Sequence, residues 1–199
     1  MSNICVFCGS SPGARPEYAA AAEELGAVLV ESGHGLAYGG GHVGLMGVIA
    51  DAMLERKGRV IGVVPRSLLE REVAHTGLDD LRVVGGMHER KAMLAEMSSG
   101  FIAMPGGFGT LDEIFEALTW TQLGIQSKPC GLLNVGGYFD GLLRFIEHAC
   151  AEGFVGASYR DLLMVHEDPK VLLGMMAGFE SPVEDKAAVA LAKSRRRRS

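Results

Sequence analysis

Short apolar runs alternate along the chain with longer segments in which apolar residues recur every three or four positions. The runs predict buried strands, whereas the periodic segments predict amphipathic helices. Alternating strands and helices are typical of an α/β fold, so we expect a Rossmann-like, doubly wound parallel sheet with helices on both faces. The predicted strands span residues 3–8, 36–38, 60–64, 81–84, 100–103, 129–134 and 162–165. The predicted helices span residues 16–32, 44–56, 87–99, 138–151 and 169–177, with a further helix that ends near residue 124.

Glycine-rich turns follow three of the predicted strands, after Cys8, after Tyr38 and after Met104. A charged, irregular segment, residues 66–80, follows a fourth strand. The carboxyl ends of parallel strands lie at one edge of the sheet, and ligands of open α/β folds bind there. We therefore expect these four connections to converge on one ligand site.

Composition and charge narrow the kinds of protein that this chain can be. It has 199 residues, of which 28 are glycine and 48% are hydrophobic, and this fits one compact domain with many tight turns. We assign residues 1–179 to that domain and residues 180–199, which include a run of arginines near the end, to a disordered tail. The formal net charge of -5 argues against a nucleic-acid partner.

The apolar runs are too short to span a membrane, and the N-terminus lacks a signal-like apolar segment. We therefore expect a cytoplasmic protein without a membrane partner. Four scattered cysteines do not suggest a disulfide framework. Cys5 and Cys8 are spaced as C-x-x-C, but side chains three apart on a strand point to opposite faces, so we expect both to pack in the core.

The connection from Pro105 to Glu113 holds the strongest candidate chemistry in the chain. Three glycines between a strand and a helix let the backbone approach a ligand closely, and the first amides of a helix are unpaired. That arrangement suits an anion, most often a phosphate. Because no Gly-Lys-Ser/Thr sequence follows the glycines, the turn is not a nucleoside triphosphate P-loop.

Glu113 has two interpretations at this point. Thr110 and Glu113 fit the S/T-x-x-E capping box, in which each side chain bonds a free amide at the start of a helix. Alternatively, a carboxylate beside a phosphate site stabilises positive charge that develops on a sugar ring. The spacing alone does not decide between a structural cap and a catalytic carboxylate.

Arg90 is the second charged candidate. On its predicted helix it shares a face with Met87, Leu94 and Met97, so its guanidinium emerges from an apolar stripe and needs an acceptor. A structural ion pair with a neighbouring carboxylate is one interpretation, and recognition of phosphate or ribose is the other. Lys91, one residue on, faces a different direction.

The second glycine turn, residues 39–44, fits the pattern G-x-G-x-x-G. A dinucleotide site also needs an acid at the end of the next strand, where Pro65 and Arg66 lie instead, so we expect no NAD or FAD. His42 lies alone among glycines and apolar residues, which favours a turn residue over a metal ligand. We therefore expect no cofactor and no cluster of metal ligands.

The stretch from Pro105 to Glu113, PGGFGTLDE, resembles the PGGxGTxxE motif of the LONELY GUY family of cytokinin-activating phosphoribohydrolases, often misannotated as lysine decarboxylases. The match extends to MHERK at residues 87–91 and TWTQLG at residues 119–124, and the resemblance runs from residue 3 to about 165. It implies hydrolysis of the N-glycosidic bond of cytokinin nucleoside 5′-monophosphates, and of AMP, to free base and ribose 5-phosphate.

Position by position, the resemblance implies that Arg90 and Glu113 are the catalytic pair. It also implies a set of substrate contacts, namely Glu72, Lys91, Gly107, Phe108, Gly109, Thr110, Leu111, Asp112 and Thr119. The short chain resembles the dimeric members of the family, which implies a homodimer with the site near the subunit interface.

A second hypothesis is a nucleotide-binding or molybdenum-cofactor carrier protein of the same fold, without turnover. Simple binding needs no carboxylate beside a phosphate, so the presence of both Arg90 and Glu113 argues against it. A DNA-processing module of related fold is disfavoured by the acidic charge. A pyridoxal-phosphate decarboxylase would need a Schiff-base lysine, and the residues around Lys91 and Lys128 match no motif for such a lysine.

Overall fold

The structure, a computed structural model, describes residues 2–69, 74–75, 77–78 and 80–180. The strands are β1 (Asn3–Phe7), β2 (Gly35–Tyr38), β3 (Val60–Pro65), β4 (Asp80–Val84), β5 (Ser98–Ala103), β6 (Cys130–Leu133) and β7 (Leu163–His166). The helices are α1 (Glu17–Glu31), α2 (Gly44–Glu55), α3 (Arg66–Leu69), α4 (Met87–Met97), α5 (Phe108–Gln122), α6 (Asp140–Ala151), α7 (Ala157–Arg160) and α8 (Pro169–Ala177).

All these strands form one parallel sheet in the order β4-β3-β2-β1-β5-β6-β7. In the centre, Ile4 of β1 lies opposite Leu36 of β2 on one side and opposite Gly100 of β5 on the other. The chain therefore builds the sheet outward from β1 to β4 and then returns to the other side of β1. This reversal between β1 and β5 creates the crevice in which open α/β sheets bind ligands.

Two apolar cores cover the two faces of the sheet. One core contains buried residues of α1, α2 and α8, such as Leu25, Ile49 and Leu172. The other contains buried residues of α4 and α5, such as Leu94 and Ile114, and partly buried residues of α6 pack against it. Burial on both faces explains why the central strands are continuous apolar runs instead of alternating ones.

The side chains of Cys5 and Cys8 lie in different cores, as expected for positions three apart on a strand. Both are buried free thiols. Their C-x-x-C spacing therefore serves core packing, as predicted.

The predicted α/β fold is confirmed, and the predicted bounds of each strand and helix differ from the observed ones by two residues at most. The sequence did not reveal α3 and α7, because each has only 4 residues and so carries no helical periodicity. The division into a domain and a tail stays a prediction, since residues 181–199 lie outside the described residues.

In the described part of the chain, none of the helices combines the length and the apolar character needed to cross a lipid bilayer.

Candidate active site

A cleft of about 300 Å³ opens where β1, β2 and β5 end. The turn after β1 contributes Cys8, Gly9 and Ser10 to its wall, and the turn after β2 contributes Gly39. Strand β1 contributes Val6 and Phe7, and the turn after β5 contributes Gly107. The helices contribute Met46, Leu68, Met87, Arg90, Phe108, Gly109, Thr110, Asp112 and Glu113. The predicted convergence of the four connections is thus confirmed for their described residues.

Backbone hydrogen bonds hold the glycine turns together. The amide of Gly9 donates to the carbonyl of Pro105 at 3.0 Å, and the carbonyl of Gly9 accepts from the amide of Leu45 at 3.0 Å. The amide of Met104 donates to the carbonyl of Phe7 at 2.9 Å. These bonds fix the turn after β5 and the start of α2 to the turn after β1, so the floor of the cleft is formed by main chain.

Helix α5 begins at the cleft. Its N-cap is Gly107, which has an extended backbone, and the first bond of the helix joins the amide of Leu111 to the carbonyl of Gly107 at 3.2 Å. The amides of Phe108, Gly109 and Thr110 precede that bond and therefore have no partner within the helix. The first turn of α5 thus has the free amides that the predicted anion site requires.

The capping-box interpretation of Thr110 and Glu113 is wrong. A capping box would place Thr110 at the N-cap, whereas the helix already begins at Phe108 and no side chain caps it. Gly106 lies so close to Thr110 that a Cβ at position 106 would collide with the threonine Oγ1. Tight packing of Thr110 under this glycine replaces the cap, and Glu113 is left with other partners.

Arg90 and Glu113 form an ion pair inside the cleft. Their closest atoms, Nη2 of Arg90 and Oε1 of Glu113, are 3.4 Å apart, and the two side chains are only 8% and 10% exposed. The guanidinium also faces the sulfur of Met87 at 3.9 Å. Among the described residues, Nε of Arg90 has no hydrogen-bond partner. Because an unsatisfied buried donor is costly, this nitrogen fits a site that receives an acceptor from a ligand.

Gly39 makes room for Arg90. A Cβ at position 39 would overlap Nη2 of Arg90 and press on the sulfur of Met46. The absence of a side chain here lets the guanidinium lie against the turn after β2 and face Glu113.

Lys91 joins α4 to α5 instead of reaching the cleft. Its Nζ lies 2.7 Å from Oδ2 of Asp112 and 3.3 Å from Oε2 of Glu116, and its side chain is 14% exposed. Burial alone would lower the pKa of Lys91, but hydrogen bonds to Asp112 and Glu116 raise it above its usual 10.5. Lys91 therefore contacts Asp112, which borders the cleft, and does not line the cleft itself.

The cleft brings together most of the residues that the sequence singled out. Arg90, Gly107, Phe108, Gly109, Thr110, Asp112 and Glu113 all line it. The side chain of Phe108 is 94% exposed at its rim. Leu111 instead packs against the core beneath α5, and Glu72 lies outside the described residues.

Thr119 lies away from the cleft, six residues beyond Glu113 on α5, which corresponds to about 9 Å along the helix axis. Its hydroxyl donates to the carbonyl of Phe115 at 2.6 Å. Thr119 borders a separate surface pocket together with Gln122 and Ile146.

The sequence did not identify Cys8, Met46 and Leu68 as cleft residues. Met46 closely follows the second glycine turn, and this position could have indicated a cleft residue. Leu68 lies in a segment without hydrophobic periodicity, so no pattern indicated it. Burial and the nearby charge of Glu113 raise the pKa of the Cys8 thiol above its usual 9.0. Cys8 therefore stays protonated at neutral pH and is a poor nucleophile.

The absence of metal ligands stays a prediction, although three side chains with suitable ligand atoms lie close together in the described part of the chain. Ligand atoms of His42, Asp51 and His75 all lie within 4.8 Å of one another. The three residues come from separate segments of the sequence. The backbone amide of His75 donates a hydrogen bond to the carbonyl of Gly40 at 3.1 Å. Spacing along the chain gives no sign of such a cluster.

Comparisons with known proteins agree with the motif. The family model described as possible lysine decarboxylase matches residues 46–176. A cytokinin riboside 5′-monophosphate phosphoribohydrolase of Oryza sativa subsp. japonica is 50% identical over 161 residues, which are 81% of this chain and 66% of the relative. An Arabidopsis thaliana protein of the same name is 44% identical over 185 residues, 93% of this chain and 85% of the relative.

Among solved structures, the Moco carrier protein from Chlamydomonas reinhardtii aligns with a TM-score of 0.67 and 24% identity. The alignment covers 88% of this chain and 95% of the carrier protein. At that identity the likeness shows the fold alone. The sequence relatives decide the family: this chain belongs to the cytokinin riboside 5′-monophosphate phosphoribohydrolases that the PGGFGTLDE motif indicated.

Proposed function

We propose that this protein hydrolyses the N-glycosidic bond of nucleoside 5′-monophosphates, cytokinin nucleotides and AMP among them, to free base and ribose 5-phosphate. The observation that carries the proposal is the buried pair of Arg90 and Glu113 beside the open first turn of α5. The family relatives, which are named for this reaction, support it.

The first turn of α5 holds the 5′-phosphate in this proposal. The amides of Phe108, Gly109 and Thr110 donate to phosphate oxygens, and the positive end of the helix dipole favours the anion. Because the phosphate is bonded to the ribose, its capture fixes the sugar relative to Glu113, one turn further along α5. Orientation of this kind lowers the entropic part of the barrier.

Glu113 acts on the sugar. As the bond between C1′ and the base nitrogen lengthens, the ribose acquires oxocarbenium character, and a fixed carboxylate stabilises that positive charge more in the transition state than in the ground state. Water then adds its oxygen to C1′, and its proton passes to the carboxylate. The carboxylate then passes that proton to the base nitrogen that held the sugar, so the products are free base and ribose 5-phosphate and Glu113 is again ionised.

Arg90 holds the substrate and aids departure of the base. Its buried Nε lacks a partner among the described residues, so a ligand oxygen or a ring nitrogen of the base completes its hydrogen bonding. Lys91 has a positioning role, because it fixes Asp112 at the rim of the cleft. Leu111 supports the first turn of α5 from the core side.

We further propose that the protein is a homodimer in which Thr119 reaches the partner's site. Exposed apolar residues beyond the end of α5 support a subunit contact there, since Leu123 is 52% and Ile125 is 67% exposed. Glu72, as a substrate contact, and the cytoplasmic location remain predictions from the sequence.

The site does not suit a lysine decarboxylase. None of the described residues that line the cleft is a lysine. Lys128 is committed elsewhere, since its Nζ donates to the carbonyl of Ala95 at 2.6 Å. The description of the family as possible lysine decarboxylases therefore names a reaction for which the described cleft residues lack the nucleophile.

The proposal is tested by incubating the purified protein with AMP, with isopentenyladenosine monophosphate and with adenosine, and measuring base and ribose 5-phosphate by chromatography. We expect turnover of the monophosphates, and the faster one identifies the preferred base. Adenosine cannot use the amides of α5, so we expect its kcat/KM to be lower by about a hundredfold or more. Binding of AMP without release of adenine from either nucleotide would contradict the proposal and favour a carrier.

A further inference from the structure

A cluster of two histidines and an aspartate lies outside the cleft. His42 belongs to the turn after β2, Asp51 to α2, and His75 to the segment between α3 and β4. Nε2 of His75 is 2.8 Å from Oδ1 of Asp51, and the rings of His42 and His75 are 4.9 Å apart and nearly perpendicular. None of the three lines the catalytic cleft.

We propose that His42, Asp51 and His75 form a binding site for a divalent transition metal such as Zn²⁺ or Co²⁺. Two imidazoles and one carboxylate are a donor set that these ions favour, and all three donor groups converge within 4.8 Å. His75 is 5% exposed, whereas His42 and Asp51 face solvent. The ion would therefore be anchored on the buried ring and complete its coordination with water.

The backbone around the cluster is preorganised for this role. The amide of His75 donates to the carbonyl of Gly40 at 3.1 Å, and Gly41 pairs with Ala74 in an isolated bridge. These contacts fix the backbone of His75 beside the turn that carries His42. Asp51 stands on a regular helix, so each donor comes from a restrained segment.

Surrounding charge favours a cation. Glu23 and Glu55 border the same surface groove of about 270 Å³ as Asp51. Arg56 also borders the groove and keeps its positive charge, since it donates only to the neutral carbonyl of Ala52 at 2.9 Å, and neither histidine lines the groove. The acidic side chains raise the local concentration of cations around Asp51.

Metal binding has a cost at His75. The amide of Gly77 donates to Nδ1 of His75 at 3.2 Å, so without metal the proton lies on Nε2, which donates to Asp51. A metal on Nε2 moves that proton to Nδ1 and breaks the bond from Gly77. Loss of one hydrogen bond weakens binding by about tenfold, so we expect a moderate affinity.

The ion would join the segment between α3 and β4 to α2. That segment follows Leu68, which borders the catalytic cleft. None of its ligands lines the cleft, so the metal site does not depend on the reaction proposed above.

The test is a titration of untagged, metal-free protein with Co²⁺, followed by visible absorption and by the thermal unfolding midpoint. We expect one ion per chain, with ligand-field bands and a raised midpoint. His42→Ala and Asp51→Asn remove exposed donors, and each is expected to weaken binding by about tenfold or more. His148→Ala, which removes an exposed histidine of α6, serves as the matched control and is expected to bind like the unchanged protein.

Failure of the unchanged protein to bind Co²⁺ at one ion per chain would overturn the proposal. Equal affinity in His42→Ala, Asp51→Asn and the control would overturn it as well, because the ion would then lie elsewhere. Neither result bears on hydrolysis of nucleotides, since the assay measures no turnover.

Discussion

Charged side chains are rarely buried unless they are paired, and Arg90 meets that condition only in part, although it forms an ion pair with Glu113. Their 3.4 Å contact leaves Nε of Arg90 without a partner in the described part of the chain. A buried ion pair is weak evidence for stability, because desolvation offsets the attraction between the charges. A buried guanidinium with one unsatisfied nitrogen at the wall of a cleft is better explained by a ligand. The sequence placed Arg90 on an apolar stripe but could not name its partner, because that partner lies on another helix.

The Gly39→Ala variant tests whether turnover depends on the position of the Arg90 guanidinium. The added methyl group would overlap Nη2 of Arg90, so the guanidinium must move away from Glu113. We expect kcat to fall by about a hundredfold, as for other small misplacements of catalytic groups. Gly174→Ala on α8 is the matched control, because a Cβ there meets nothing within 4 Å. Steady-state kinetics, with thermal unfolding as a check on folding, measure the effect. Unchanged kcat in folded Gly39→Ala protein would show that the close contact between Gly39 and the Arg90 guanidinium is not needed for turnover.

Helix α5 connects the proposed phosphate site, the carboxylate of Glu113 and the contact with α4. Its motif residues predicted a strand, a glycine turn and a helix, and that order is confirmed. The motif did not predict where the helix begins, because Thr110 and Glu113 also fit a capping box. Packing decides the outcome: Thr110 is buried under Gly106, and the helix starts at the glycine turn itself.

We expect Lys91 to stabilise the fold through its ion pairs with Asp112 and Glu116, which connect α4 to α5. Its pKa in the folded protein is raised above 10.5, so the contribution is fully present below the unfolded pKa and is lost as the pH rises through the folded value. We expect Lys91→Met to lower the unfolding midpoint at pH 8 and to make less difference near pH 11. Lys170→Met, at an exposed position on α8, is the control. If Lys91→Met lowers the unfolding midpoint by the same amount at both pH values, the charge of Lys91 does not stabilise the fold.

The whole molecule shows what a periodic pattern predicts and what it leaves open. Alternating strands and helices were sufficient for the fold class and for the edge at which the turns meet. The order of the strands was not accessible, because it depends on contacts between segments distant in sequence. The cluster of His42, Asp51 and His75 could not be predicted either, because its members come together only in the folded chain.

At the scale of the assembly, we expect a mass of twice 21.1 kDa by sedimentation velocity. Ile125→Glu places a charge on an exposed apolar residue near the end of α5, and we expect it to yield monomer and to reduce turnover. Val171→Glu alters a partly exposed residue of α8, on the opposite face of the sheet, and should leave the dimer intact. An unchanged protein that is monomeric and fully active would contradict the shared site.

The most direct measurement compares the protein with its Glu113→Gln variant, for both AMP binding and adenine release. Glutamine keeps the size of the side chain but removes the charge that stabilises the ribose in the transition state. We predict that AMP affinity changes little while turnover falls by about 10²- to 10³-fold or more. If the folded variant releases adenine as fast as the unchanged protein, Glu113 is not the catalytic carboxylate and the proposed mechanism is wrong.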